Sequence, residues 1–219
     1  MMSVTDLHDS PAHEWAVLFD LGGTLTTNGP IPAIAARLLG LPTSGEPLEN
    51  VVAAIAAHRE EYGRVHDDAA YWRAVAKDAG AGDIDPDVIA QLVAADVENW
   101  INLPSAVLTL VRDLRENHVE MGVLSNAPRS LARCFDNQPW ASAFTVQRFS
   151  CYTGLTKPSV EAYEDAISHF DHFADRILYL DDRPSNVDAG AAAGLDAHLW
   201  TSPDEARALL TERGLLPAG

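Results

Sequence analysis

Short apolar runs that stop abruptly at a polar or acidic residue recur along this chain, and segments of helical spacing separate them. Trp15–Phe19 ends at Asp20 and turns through Gly22-Gly23. Residues 119–124 end at Ser125-Asn126, residues 144–149 at Ser150, and residues 177–180 at Asp181-Asp182, with 196–200 a weaker fifth run. Continuous apolar runs without alternation belong to strands covered on both faces. Helical spacing over residues 106–117, 129–137, 159–170 and 185–193, with starts at Ser105, Pro128, Ser159 and Ser185, supplies the covering layers. Alternating strand and helix predicts an α/β fold, a doubly wound parallel sheet with right-handed crossovers. Residues 15–27 and 104–219 are assigned to it.

Residues 28–103 are of another kind. Apolar residues recur at helical spacing over 31–41, 48–62, 69–79 and 86–100, with breaks at residues 42–45, Gly63 and residues 80–82. An all-helical insert between the first strand and its crossover helix is expected, with hinges near Gly29 and Asn102. No repeat or low-complexity tract interrupts this plan.

Charge narrows the partners. Fifteen Lys and Arg against 32 Asp and Glu leave a formal charge of −17. Nucleic acid and anionic membrane surfaces are therefore not expected partners, because both are bound through clustered cations. The two cysteines, Cys134 and Cys151, are too few for a disulfide framework, and residues 1–14 lack the apolar centre of a signal peptide. The expectation is a soluble cytoplasmic protein.

In an open parallel sheet the ligand site lies beyond the carboxyl ends of the strands. That rule gathers Asp20, Ser125, Asn126, Asp181 and Asp182 on one rim. Asp20, on an open Gly22-Gly23 turn, suits a nucleophile or a metal ligand, although Asp before a glycine turn is also ordinary turn chemistry. Adjacent Asp181 and Asp182 would repel each other and Asp20. A hard cation such as Mg²⁺ relieves that repulsion; the alternative is an acidic turn start. Ser125-Asn126-Ala127-Pro128 precedes a helix whose free N–H groups can meet phosphate, or serves simply as its cap. Lys157 is one of two lysines against thirteen arginines. In a loop aimed at the rim it would act as a point charge for phosphate; otherwise it is a solvated surface residue.

Taken together, residues 16–25, Val123-Leu124-Ser125-Asn126, Gly154-Leu155-Thr156-Lys157-Pro158 and residues 178–186 resemble the four ordered motifs of the haloacid dehalogenase-like (HAD) hydrolase superfamily. The resemblance implies a Rossmann-like core whose helical insert is a C1 cap that selects the substrate. It implies Asp20 as a nucleophile forming an aspartyl-phosphate, Ser125 on the phosphoryl oxygens and Lys157 neutralising them. Mg²⁺ would be held by Asp20, the Gly22 carbonyl and Asp182, with Asp181 and Asn186 supporting its water shell or the loop. Gly22 and Gly23 would border the substrate along with Asn126.

One position departs from the phosphatase pattern. Most such phosphatases carry a second Asp two residues after the nucleophile as general acid and base, worth roughly 10²–10⁴-fold in rate; here it is Gly22. Sugar-phosphate phosphatases of the α-glucose-1-phosphate type share the Asp-Leu-Gly and Asp-Asp features, and their cap loosely resembles residues 60–72. Arg64 or His66 would then meet substrate, and His66 is a substitute proton donor; Tyr71 and Trp72 are expected in the insert's core. The expected activity is hydrolysis of a small phosphorylated metabolite. Two alternatives stand beside it: a 2-haloacid dehalogenase, whose relatives also lack the second Asp and usually carry an aromatic residue there, and a weakly active member that binds a phosphometabolite or a protein.

Overall fold

The computed structural model describes residues 14–27, 29, 31–65, 67–170 and 174–218. Five strands, β1 (Trp15–Phe19), β2 (Glu120–Ser125), β3 (Val146–Phe149), β4 (Arg176–Asp181) and β5 (Asp196–Leu199), form one sheet in the order β3-β2-β1-β4-β5. Every pairing is parallel. The first strand is central, so the chain reverses direction across the sheet beside it, and the crevice of a doubly wound fold opens at its carboxyl end.

Burial on both faces explains the unbroken apolar runs. Val17 and Phe19 pack into a cluster with Val107, Leu110 and Leu114 of α5 (Ser105–Glu116) and Ala206 and Leu210 of α10 (Pro203–Glu212). Ala16 and Leu18 face the opposite cluster, built on Tyr163 and Ala166 of α8 (Val160–Ser168) and flanked by Ala189 of α9 (Pro184–Ala192). Phe19 meets Phe144 and Trp200 edge-on, with ring centres 6.4 Å apart in each case.

Among its described residues the insert holds four helices joined by turns and no strand. Helices α1 (Ile31–Leu38), α2 (Glu46–Val65), α3 (Asp68–Asp78) and α4 (Pro86–Ile101) surround a separate core containing Leu39, Val51, Trp72, Val75 and Leu92. Tyr71 and Trp72 lie in that core as expected. Asp67 caps α3 by accepting from the Ala70 N–H, and Asp85 caps α4 from Val88, with Pro86 opening the first turn.

Two local expectations are corrected. Helix α2 runs through Gly63 instead of breaking there, because its carboxyl end rests on the sheet domain, where the Ser150 hydroxyl donates to the Gly63 carbonyl at 2.6 Å. Two helices were not foreseen: α10, and the single turn α7 (Ser150–Thr153) that follows β3. The remaining helix, α6 (Arg129–Asp136), follows β2. Among the described residues no helix is long and apolar enough to cross a membrane.

Candidate active site

Asp20 stands one residue beyond β1, and its N–H continues the ladder to the Leu180 carbonyl at 2.9 Å. The chain then folds back at once: Thr26 donates to the Leu21 carbonyl through both N–H and hydroxyl, and the Gly23 N–H donates to Thr26. Gly23 has a φ of +87°, and a Cβ there would lie 2.3 Å from Asp182 Oδ2. Glycine is thus required by backbone and by neighbour alike. Asp182, whose N–H donates to the Thr24 hydroxyl at 3.1 Å, closes onto the same turn.

Lys157 lies buried between two carboxylates. Its Nζ donates to Asp20 Oδ1 at 2.6 Å and to Asp181 Oδ2 at 2.7 Å. Asn126 sets the lysine's backbone from the end of β2: its Nδ2 donates to the Lys157 carbonyl at 2.8 Å, and its Oδ1 accepts the Lys157 N–H at 2.9 Å. The amide faces the lysine loop with both of its functions, whereas the sequence pattern had assigned it to substrate. Ser125, buried at the last residue of β2, completes this side of the rim.

Asp181 is completely enclosed. Besides Lys157 it accepts from Tyr179 Oη at 2.5 Å, from the Arg183 N–H, and from Asn186 Nδ2 at 3.0 Å to each oxygen. Asn186 therefore supports the loop through Asp181. Burial works to raise the Asp181 pKa, but Lys157, Tyr179 and the Arg183 N–H outweigh it and hold this carboxyl below its ordinary range. Asp20 responds oppositely: burial, only partly offset by Lys157, together with Asp181, pushes it up to about 6. Burial and the charge of Asp181 likewise raise Asp182.

Carboxylate oxygens of Asp20, Asp181 and Asp182 lie within 4.8 Å of one another. Asp182 Oδ1 is buried without a hydrogen-bond partner. An unpartnered anionic oxygen beside two further carboxylates, with a single lysine among them, fits the oxygen-rich environment of a small divalent cation.

One expected site residue stands apart. Arg64 is exposed at the end of α2 and pairs with Glu60 and Glu61 at 3.5 and 3.7 Å. His66 lies outside the described residues.

Conversely, the residue that meets Gly22 was not foreseen from the sequence. A Cβ at this residue would fall 1.4 Å from the Trp100 indole, and one on Gly29 would fall 1.9 Å from Asn99 Oδ1, so the last turn of α4 sits directly on the first-motif loop. The Arg59 guanidinium lies over the Trp100 ring at 4.8 Å and is gripped by two 2.7 Å hydrogen bonds to Asp96. Tyr179 was missed as well, because a tyrosine inside an apolar strand carries no signal separating it from core. The available hint for Trp100 was its place just before the return hinge, where the insert comes back to the strand that launched it.

A haloacid dehalogenase-like hydrolase family model matches residues 16–194. The chain belongs to that family. Among solved structures, this HAD hydrolase is similar to YfnB from Bacillus subtilis bound to magnesium, with 18% identity over 84% of this chain and 86% of that one and a TM-score of 0.66. It is also similar to a Bacteroides thetaiotaomicron HAD family enzyme in complex with magnesium and inorganic phosphate (17% identity, 85% and 93% covered, TM-score 0.63). A third is the L-2-haloacid dehalogenase from Xanthobacter autotrophicus with chloropropionic acid covalently bound (17% identity, 92% and 84% covered, TM-score 0.63). At these identities the likeness establishes the shared fold. No curated protein sequence matches the chain.

Proposed function

We propose that this HAD hydrolase is a Mg²⁺-dependent phosphatase acting on a small phosphorylated metabolite through an aspartyl-phosphate on Asp20. The observation that carries the proposal is the acidic trio, two of its members buried, with the unpartnered Asp182 Oδ1. Asp20, Asp182 and the Gly22 carbonyl would hold the cation, with Asp181 behind them. When bound, the cation supplies positive charge for the phosphoryl oxygens and screens Asp20 from its neighbours. Asp20 attacks phosphorus, Lys157 stabilises charge on the transferring group while keeping Asp20 ionised, and Ser125 holds a phosphoryl oxygen. The insert serves as a cap over the rim, excludes water and selects the metabolite. The Bacteroides thetaiotaomicron relative, with its magnesium and phosphate, supports this reading. A metabolite as substrate also agrees with a cytoplasmic location.

A second reading, dehalogenation of a 2-haloacid, has one observation in its favour: Trp100 brings an aromatic ring against Gly22. In that chemistry Asp20 attacks carbon and no metal is required. Purified protein assayed against phosphorylated metabolites with and without Mg²⁺, beside Asp20→Asn, tests both. Metal-dependent phosphate release lost in Asp20→Asn supports the phosphatase, and metal-independent chloride release from 2-chloropropionate supports the dehalogenase. Tight Mg²⁺-dependent metabolite binding without turnover in either assay would identify a binding protein.

A further inference from the structure

Gly22 and Trp100 are complementary shapes from two parts of the chain. Indole carbons of Trp100 lie 1.4, 2.2 and 2.4 Å from the point a Cβ on Gly22 would take, so this loop carries no side chain there and none can be added while the ring stays. The ring is fixed independently. Arg59 stacks over it, Asp96 holds Arg59 by two hydrogen bonds, and Asp96 is almost wholly buried. Attacking and leaving oxygens lie in line across a transferring phosphoryl group. With Asp20 attacking from the end of β1, the leaving group points out of the sheet toward the insert, and the insert residue seated on the nucleophile's loop is Trp100. Among the described residues, the cations beside this space do not offer it a proton: Lys157 is bonded to Asp20 and Asp181, and a guanidinium does not release its proton in proteins, while Asp182 is taken up as a cation ligand in the phosphatase reading.

We propose that Gly22, whose side-chain space Trp100 fills, restricts Asp20 to substrates whose leaving group departs as a stable anion, namely acyl phosphates and aryl or enol phosphate esters, and disfavours alkyl phosphates such as sugar phosphates. The inference rests on the phosphatase reading and names its substrate class. In the first step an Asp20 oxygen bonds to phosphorus, and the bond from phosphorus to the leaving oxygen breaks. Its electron pair stays on that oxygen, which departs as carboxylate or phenolate without taking a proton. In the second step water attacks the phosphorus, Asp20 is regenerated as carboxylate, and both hydrogens of the water leave on the released phosphate.

The test is kcat/KM with Mg²⁺ for acetyl phosphate, 4-nitrophenyl phosphate, phenyl phosphate and glycerol 3-phosphate. The native protein should lose activity steeply along this series, with glycerol 3-phosphate at least about 10²-fold below 4-nitrophenyl phosphate, the lower end of what a general acid contributes. Trp100→Ala alone supplies no acid and should keep the slope. The double variant Gly22→Asp/Trp100→Ala has room for a carboxylate and should narrow the gap by about 10²-fold. Rates independent of leaving group in the native protein, or a folded double variant that hydrolyses 4-nitrophenyl phosphate with the native slope, overturn the inference and leave the phosphatase standing. Should the double variant not fold, the native series decides alone. Failure to hydrolyse any of the four substrates overturns both.

Discussion

Lys157 Nζ touches Asp20 Oδ1 at 2.6 Å across 137 positions of sequence, and the same ammonium reaches Asp181 at 2.7 Å. One cation thus bridges two buried carboxylates from the ends of different strands. Removing it leaves both uncompensated, and breaking a buried pair from one side typically costs about 3–5 kcal/mol. Lys157→Met should therefore destabilise the metal-free protein by about that amount in urea unfolding, with part of the loss recovered in Mg²⁺ as the cation takes over the neutralising charge. A loss below about 1 kcal/mol would show that the pair is not closed in solution.

Protonation of Asp20 competes with the metal. Burial pushes this carboxyl up to about 6, and only the ionised form binds a cation or attacks. Apparent Mg²⁺ affinity should weaken by roughly tenfold per pH unit below that value and level off above it. The stability effect runs the other way from that of an ordinary salt-bridged acid. Between 3.8 and about 6 the folded chain keeps a proton on Asp20 that the unfolded chain has released. This group therefore makes the metal-free protein less stable as pH rises through that window. Unfolding of native protein and Asp20→Asn, compared across it, isolates the contribution; equal pH dependence in the two would contradict the assignment.

Asn126 binds the Lys157 backbone by two reciprocal hydrogen bonds. Asn126→Ala should cost about 1–3 kcal/mol of stability and release the loop that aims the ammonium. Because the residue positions Lys157, kcat should fall at least tenfold with a smaller change in KM, by steady-state kinetics. The opposite split would return Asn126 to substrate binding.

In the insert, Asp96 is the counter-ion of Arg59, whose guanidinium covers Trp100. Asp96→Ala strands a largely buried cation and should destabilise by about 3–5 kcal/mol. Replacing both partners, Arg59→Met with Asp96→Leu, should recover most of that loss, as a double-mutant cycle would show.

The sheet was legible because its central strands are buried on both faces and end in polar residues at the crevice, so apolar runs such as Trp15–Phe19 marked both strand and rim. Asp20 and Asp181 announced themselves by residue type at those ends, Lys157 by the rarity of lysine and its place in a loop, and the structure brings the three within hydrogen-bond reach. Direction was less legible than position. Asn126 looked suited to a ligand until its amide met the Lys157 backbone, and Arg64 is paired on the outer surface of α2. Least legible was Trp100. Its contact with Gly22 joins two segments through tertiary packing, and a tryptophan at helical spacing reads as core whichever way it turns.

The central claim is a covalent phosphate on Asp20. Protein mixed with acetyl phosphate, quenched in acid within one turnover and digested, should carry phosphate on the peptide containing Asp20 when Mg²⁺ is present. The adduct should vanish with chelator and in Asp20→Asn. Steady phosphate release with no such adduct, undiminished by Asp20→Asn, would contradict the account.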